Sequence, residues 1–340
     1  MEKINSSDKN YKSSGVDLSF SNNLTEKILS IVSKNNKSED LGFFSSSLKI
    51  DNNVIVSGSV DGVGTKSKIF KFYGNYANLG YDIVNHCVND ILPSGAKPFM
   101  FLDYLAFSEI DEKNVLNVVK GISEACKEMD CILAGGETAQ MPDIYKKDDL
   151  EVVGFILGIV DEKKIPKIKD INEGDLVIGI PSNGLHTNGY SMVRKIFDFE
   201  NNIHEFNNIV PGTKYSFGEL LTRPHRNYFN VIWGALENIK SIAHITGGGI
   251  KENASRSIPS NVAIEINVNS WKVPKLFNFI QRKGNIKIDE MYSIFNMGIG
   301  MILIVEPSLR DMALSIDVGS QVIGKIVNRN NEEKVKLIGI

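Results

Sequence analysis

The sequence is poor in cysteine and proline, in long apolar runs, and in any excess of one charge sign. Its three cysteines, Cys87, Cys126 and Cys131, form no C-x-x-C pair and are odd in number. A disulfide framework or a four-thiolate zinc site therefore has no support, and a reduced, cytosolic setting fits best. The longest run of apolar residues and glycine, Val152 to Val160, is too short to span a bilayer, and the opening MEKINSSDKN carries charges where a signal peptide needs an apolar core. No membrane partner is expected. With 41 acidic against 38 basic side chains the formal charge is only -3, so there is no basic face to hold a nucleic-acid backbone. What the chain does have is length and apolar content: 340 residues, 42% of them hydrophobic, suffice for two domains of ordinary size.

Residues 1 to 40 are rich in Ser, Asn and Lys, with one amphipathic stretch at Leu24, Ile28, Leu29, Ile31 and Val32 that suits a short helix, and the first dozen residues are expected to be mobile. From Val54 onward apolar runs alternate with helical periods, which predicts a mixed α/β (α+β) architecture. In the first half the patterns predict strands at 54–60, 98–107, 131–138 and 150–161 and helices at 78–92 and 111–129. The segment 163–175 mixes charge, proline and glycine without a period and reads as a linker, dividing the chain into residues 1–165 and 166–340. In the second half strands are expected at 175–181, 241–246, 262–266, 298–305, 321–327 and 334–340. Helices are expected at 189–199, 217–238, 249–257, 274–282 and 308–315. The spacing does not distinguish a parallel from a mixed sheet.

Glycine turns at predicted strand ends are the places where chemistry could sit, because exposed backbone N–H groups there are natural phosphate ligands. The first is Asp61-Gly62-Val63-Gly64-Thr65-Lys66-Ser67. It fails the G-x-x-x-x-G-K-[ST] template, since Thr65 separates Gly64 from Lys66, yet a carboxylate, two glycines and a lysine suit Mg-nucleotide, with Asp61 on the metal and Lys66 on phosphate. The alternative is a plain surface turn. A second turn, Gly135-Gly136-Glu137-Thr138, ends in a carboxylate that a tight left-handed turn would also explain. In the second half SNGLHTNG (182–189) and Thr246-Gly247-Gly248-Gly249 both lead into helices, with Thr187 or Asn188 placed to cap the helix near Gly189. On the helix at 78–92, Asp82, His86, Asn89 and Asp90 share an arc of about 100°. That face reads either as solvated or as supplying Asp90 to a divalent cation beside Asp61 and Glu137. His204 and His225 have no such context and are read as structural.

At these same segments the sequence closely resembles the phosphoribosylformylglycinamidine cyclo-ligase (aminoimidazole ribonucleotide synthetase) family. The matching stretches are YKSSGVD (11–17), SVDGVGTK (59–66), NHCVNDILPSGAKPFMFLDY (85–104), AGGETAQMP (134–142), PSNGLHTNGYSMVRK (181–195), AHITGGGIKEN (243–253) and MYSIFNMGIGM (291–301). The resemblance implies an N-terminal β-rich dimerisation domain with helices and a C-terminal α/β domain. It also implies a homodimer, and an ATP-dependent closure of formylglycinamidine ribonucleotide to the aminoimidazole ribonucleotide. ATP and Mg2+ are the cofactors implied, with K+ a further candidate. Carried over by position, Asp61, Lys66, Asp90 and Glu137 match nucleotide and metal residues. Gly62, Gly64, Thr65, Asn89, Gly135, Gly136, Thr138, Gly247, Gly248 and Gly249 match nucleotide-binding positions, and His186 and Asn188 match substrate-handling ones. Gln140 departs from the family's GGETAEMP, PHRNY (224–228) stands where PTRIY is usual, and LGFFSSSL (41–48) is less glycine-rich than its counterpart.

The implied chemistry explains the residue types. Ring closure expels the formyl oxygen, a poor leaving group until ATP phosphorylates it, so the protein must chiefly position groups and neutralise charge. His186 would either shuttle the proton of the attacking nitrogen or bind the ribose phosphate. Competing readings are a selenophosphate synthetase, which needs a reactive residue earlier than Cys87, and a thiamine-monophosphate kinase, which lacks SNGLHTNGYS followed by TGGG. A non-catalytic nucleotide-binding subunit is the third, and a dehydrogenase is disfavoured because Gly58, Gly62 and Gly64 do not form G-x-G-x-x-G.

Overall fold

A computed structural model describes residues 14–32, 34, 44–51, 54–330 and 333–340. The first dozen residues and residues 41–43 of the segment 41–48 lie outside the described residues. The first half holds α1 (Leu18–Val32), β1 (Ser46–Lys49), β2 (Ile55–Gly62), α2 (Ser67–Phe70), α3 (Ala77–Ile91), β3 (Ala96–Phe107), α4 (Glu112–Glu128), β4 (Ile132–Gln140) and β5 (Leu150–Val160). Its five-stranded sheet runs β1-β2-β5-β3-β4 and is antiparallel except for the β3–β4 pair. Burial alternates strictly along β5, because successive side chains of a strand point to opposite faces. The inward face carries α3 and α4.

Those two helices meet at glycines. A Cβ on Gly121 would stand 1.9 Å from Ala77 O, and one on Gly80 would stand 2.3 Å from Val118 O. Only a hydrogen there lets the backbones approach this closely. The Asp111 side chain accepts from the Lys113 N–H and caps α4, as a short carboxylate at this position does.

The second half contains β6 (Leu176–Pro181), α5 (Tyr190–Phe197), α6 (Phe217–Leu221), α7 (Phe229–Ile232), β7 (Ser241–His244), α8 (Gly249–Arg256), β8 (Val262–Asn267), α9 (Lys275–Gly284), α10 (Ile288–Ile294), β9 (Ile299–Val305), α11 (Arg310–Ser315), β10 (Gln321–Asn328) and β11 (Val335–Ile338). Its six strands run β11-β8-β10-β6-β9-β7, all antiparallel except β11 with β8. Every residue of β9 is buried, which fits a central strand covered on both faces. Between the sheets, residues 161–175 form two short 3-10 turns. No helix among the described residues is long and apolar enough to cross a membrane.

Most elements follow the sequence patterns, and the exceptions have physical causes. β1, α2 and α10 lie where no element was expected, each too short for a clear period. The single helix expected over 217–238 is instead α6, an irregular segment 222–228, α7 and a 3-10 turn at Trp233–Asn238. Pro224 disfavours a helical Arg223 and removes a donor. The carbonyls that a helix would have used are taken by side chains: Asn78 donates to Thr222 O (2.9 Å), Lys66 to Arg223 O (2.7 Å) and Asn183 to Pro224 O (2.9 Å). Asn85 donates to His225 O (2.7 Å) and Asn89 to Arg226 O (2.8 Å). Five consecutive carbonyls of the second half are thus held by named side chains, four of them from the first half.

Candidate active site at the junction of the two halves

The polar face of α3 is the floor of the site, and it is buried rather than solvated. Asp82 and Asn89 are 0% exposed, His86 3% and Asp90 6%. A buried polar group must find partners, and these find them in the second half. Asp82 Oδ1 accepts from Lys66 Nζ (2.7 Å) and from the His225 N–H (2.6 Å), while its Oδ2 has no partner among the described residues. Asn89 gives its amide N–H to Arg226 O and accepts the Tyr228 N–H at 2.9 Å. Expected at a nucleotide, Asn89 instead has both ends of its amide engaged in gripping the segment 222–228.

Lys66 departs from expectation in the same way. Its ammonium is fully buried, bonded to Asp82 and Arg223 O and 5.6 Å from the Tyr190 ring. A phosphate could reach it only by opening those contacts. Burial presses its pKa down against the pull of Asp82, and burial presses that of Asp82 up against the pull of Lys66. The neighbouring Thr65 hydroxyl lies 3.0 Å from Ser191 Oγ of α5, so the turn 61–67 reaches the second half directly. Gly62 N donates to Asp61 Oδ1 and Gly64 adopts φ +62°.

Four of the five histidines meet here, His86 in the floor and His186, His225 and His244 above it. His86 Nε2 lies 3.0 Å from Asp61 Oδ2 and 3.7 Å from Asp90 Oδ2, and its Nδ1 lies 2.8 Å from Thr187 Oγ1. Asp90 Oδ1 accepts from His244 Nδ1 at 2.8 Å, and Ser59 Oγ donates to its Oδ2 at 3.3 Å. His244 Nε2 faces His225 Nε2 at 3.0 Å. His186 stacks on His225 with ring centroids 4.0 Å apart, in a left-handed backbone conformation (φ +62°). Room for this packing comes from Gly300, where an added Cβ would stand 1.8 Å from the Tyr228 hydroxyl and 2.6 Å from His186 Cε1.

The electrostatics divide these rings. Burial works to keep His86 neutral, but the charges of Asp61, Asp90 and Asp82 push its pKa up to about 9. Burial would likewise raise Asp61, yet His86 and the Gly62 N–H hold it below the ordinary carboxylate range. His186, His225 and His244 are all pressed below their ordinary value by burial, which in His244 outweighs the attraction of Asp90. The pH dependence of stability follows. The part contributed by His86 is fully present below its unfolded value of 6.5 and is lost as pH rises through about 9. The three depressed histidines act in the opposite sense, destabilising the fold as pH falls below 6.5, where the unfolded chain binds protons that the folded one refuses. Unfolding free energy measured against pH is expected to peak near 6.5, declining on both sides, and a His86→Gln variant is expected to lose the alkaline decline while keeping the acid one.

Three expectations are corrected here. His225 is not a bystander but a member of the cluster, and the break at Pro224 was the signal that could have placed it. Thr187 and Asn188 do not cap α5, whose N-cap is Gly189 with no side-chain bond; the Thr187 hydroxyl serves His86 and His225 instead. Glu137 is exposed on edge strand β4, apart from the carboxylates it was expected to join. Among the described residues the groups able to share a metal are His186, His225 and His244, and His86, Asp90 and His244. Gly135, Gly136 and Thr138 line a separate cleft beside Asp103, whereas Gly247, Gly248 and Gly249 lead from β7, which ends at His244, into α8. His204 is exposed in a 3-10 turn, and His244, unremarked in the sequence, ends β7.

A two-domain α/β protein whose carboxylates, histidines and glycine turns converge where the halves meet is what these features define. Residues 45–160 match the N-terminal domain, and residues 172–336 the C-terminal domain, of AIR synthase related proteins, and the chain belongs to that family. It is 43% identical over 328 residues to the phosphoribosylformylglycinamidine cyclo-ligase of Thermoanaerobacter pseudethanolicus, covering 94% of this chain and 97% of that protein. To the protein of the same name from Prochlorococcus marinus it is 42% identical over 337 residues, covering 94% and 96%. Among solved structures the HypE-HypF complex shares the fold at TM-score 0.63 and 18% identity, over 91% of this chain and 95% of that one. AaThiL complexed with AMPPCP and TMP does so at TM-score 0.62 and 16% identity, over 92% and 93%.

Proposed function

We propose that this protein closes the imidazole ring of formylglycinamidine ribonucleotide at the expense of ATP, releasing ADP and phosphate, in purine biosynthesis. The observation that carries the reading is the convergence of Asp61, Asp90 and His186 on one histidine cluster, in a chain 43% identical to a cyclo-ligase over nearly its whole length. The formyl oxygen is phosphorylated, the amidine nitrogen attacks the same carbon, and phosphate leaves with that oxygen. Asp61 and Asp90, both on His86, supply hard oxygen donors suited to Mg2+, whose charge would offset that of the phosphates. Glu137 is not needed in that set. Gly62, Gly64 and Thr65 in one turn and Gly247 to Gly249 in the other present backbone to the nucleotide, and His186 and Asn188 are assigned to handling the ribonucleotide. Substrate carrying oxygen-18 in the formyl group is expected to yield phosphate with one labelled oxygen per turnover. Label appearing in water, with unlabelled phosphate, would overturn this order of events.

Residues 1–165 are assigned to nucleotide binding and dimerisation and residues 166–340 to the remainder of the site, in a cytoplasmic homodimer. The outward face of the first sheet supports the dimer: Val60 is 66% exposed, Phe99 44%, Ile159 43% and Phe155 38%, and Val60 pairs with Phe155 in register. An apolar sheet face of this kind calls for a partner. Sedimentation is expected to give a dimer at micromolar concentration, and a Phe155→Glu variant a monomer; a fully active wild-type monomer would contradict the assignment.

A further inference from the structure

We propose that His186, His225 and His244 form a nitrogen-donor site for a borderline-soft divalent cation of the Zn2+ type, distinct from the oxygen donors assigned to Mg2+. The three rings offer ligand atoms that all lie within 4.8 Å of one another, and each residue is buried. His225 and His244 already face each other through their Nε2 atoms at 3.0 Å, close to the roughly 3.4 Å edge of a tetrahedral zinc site with bonds of about 2.1 Å. With His244 Nδ1 donating to Asp90, the N–H between those two nitrogens in the metal-free protein belongs to His225; on binding, that proton would move to His225 Nδ1, leaving both Nε2 lone pairs to the cation and both rings neutral.

The surroundings are those of a metal centre. A ligating imidazole usually donates its other N–H to a carboxylate, which fixes the tautomer, and His244 does so through Nδ1 to Asp90 at 2.8 Å. The Thr187 hydroxyl lies 3.5 Å from His225 Nδ1 in the corresponding place. The third ligand, His186, is 2% exposed, and neither of its ring nitrogens has a hydrogen-bond partner among the described residues. No hydrogen bond of this ring therefore competes with ligation. The all-nitrogen set favours zinc, cobalt or nickel over magnesium. His225 belongs to the segment PHRNY, so this ligand comes from a position where the family pattern carries threonine.

The full-length protein, freed of metal by chelation, would be titrated with Zn2+ by calorimetry and with Co2+ by visible absorption. One Zn2+ per chain is expected with a Kd of about 1 μM or tighter, together with the intense absorption of tetrahedral cobalt. His225→Thr is expected to weaken binding about 100-fold or more, and Asp90→Asn about 10-fold by loss of the bond that orients His244. His204→Ala, which alters the exposed histidine, is expected to change nothing. Wild-type protein that binds no zinc at this affinity, octahedral cobalt spectra, or equal binding by the His225→Thr variant would each overturn the proposal. So would loss of binding in His204→Ala. None of these readouts depends on the ring-closing reaction, so the site stands or falls separately from the activity proposed above.

Discussion

Lys66→Met is expected to destabilise the protein by about 3–5 kcal/mol, because it leaves a carboxylate buried without its counter-charge. Asp82 is 0% exposed and its Oδ2 already lacks a partner, so removing the ammonium strands the whole charge. The loss extends further, since Lys66 also holds Arg223 O and thereby the segment that carries His225. Urea unfolding is the measurement. The double variant Lys66→Met, Asp82→Leu is expected to recover part of the loss, though not all, because the His225 N–H then has no acceptor. A single-variant change below about 1 kcal/mol, the range of exposed pairs, would mean that the pair is not buried in solution. The same pair explains why a lysine that resembles a phosphate ligand in sequence serves first as a clamp between the halves.

Asp90→Asn is expected to lower turnover about a hundredfold or more while leaving the fold intact, a magnitude in line with removal of one preorganised charged contact. Asp90 is the carboxylate with the most contacts in the cluster, reaching His244, His86 and Ser59. Asp61, by contrast, reaches only His86 among the side chains of the described residues, and its side chain is 43% exposed. Asp61→Asn is therefore expected to reduce turnover to a similar degree if the carboxylate binds the cation. It should also lower the pKa of His86 from about 9, which the Asp90 variant does less, because Asp90 stands farther from that ring. Steady-state kinetics at saturating Mg2+, with circular dichroism as the control, decides the matter; unchanged turnover in both variants would remove the two aspartates from the reaction.

Sequence by itself determined the elements whose side chains repeat with a clear period. The helix at 77–91 shows one apolar stripe, β5 alternates residue by residue, and the glycine turns mark the ends of strands. It also determined that Asp61, Asp90 and His186 belong to motifs with chemical meaning, and the family to which those motifs belong. Such properties are local, set by side-chain spacing along a few turns or a few residues of strand.

Only the tertiary structure decided which polar residues meet. The face of Asp82, His86, Asn89 and Asp90 has the same spacing whether it faces water or protein, and nothing within α3 says that Asn85 and Asn89 hold carbonyls of residues 225 and 226. The irregular segment 222–228 exists because Pro224 disrupts the helix and because side chains more than a hundred residues away accept the task of satisfying its backbone. His225 and His244 gain their roles from that arrangement alone, since two imidazoles 19 residues apart acquire a common proton only when the chain between them brings them to 3.0 Å. Contacts of this kind cost loop-closure entropy that the whole fold must offset, and so they are a property of the packed molecule rather than of any segment.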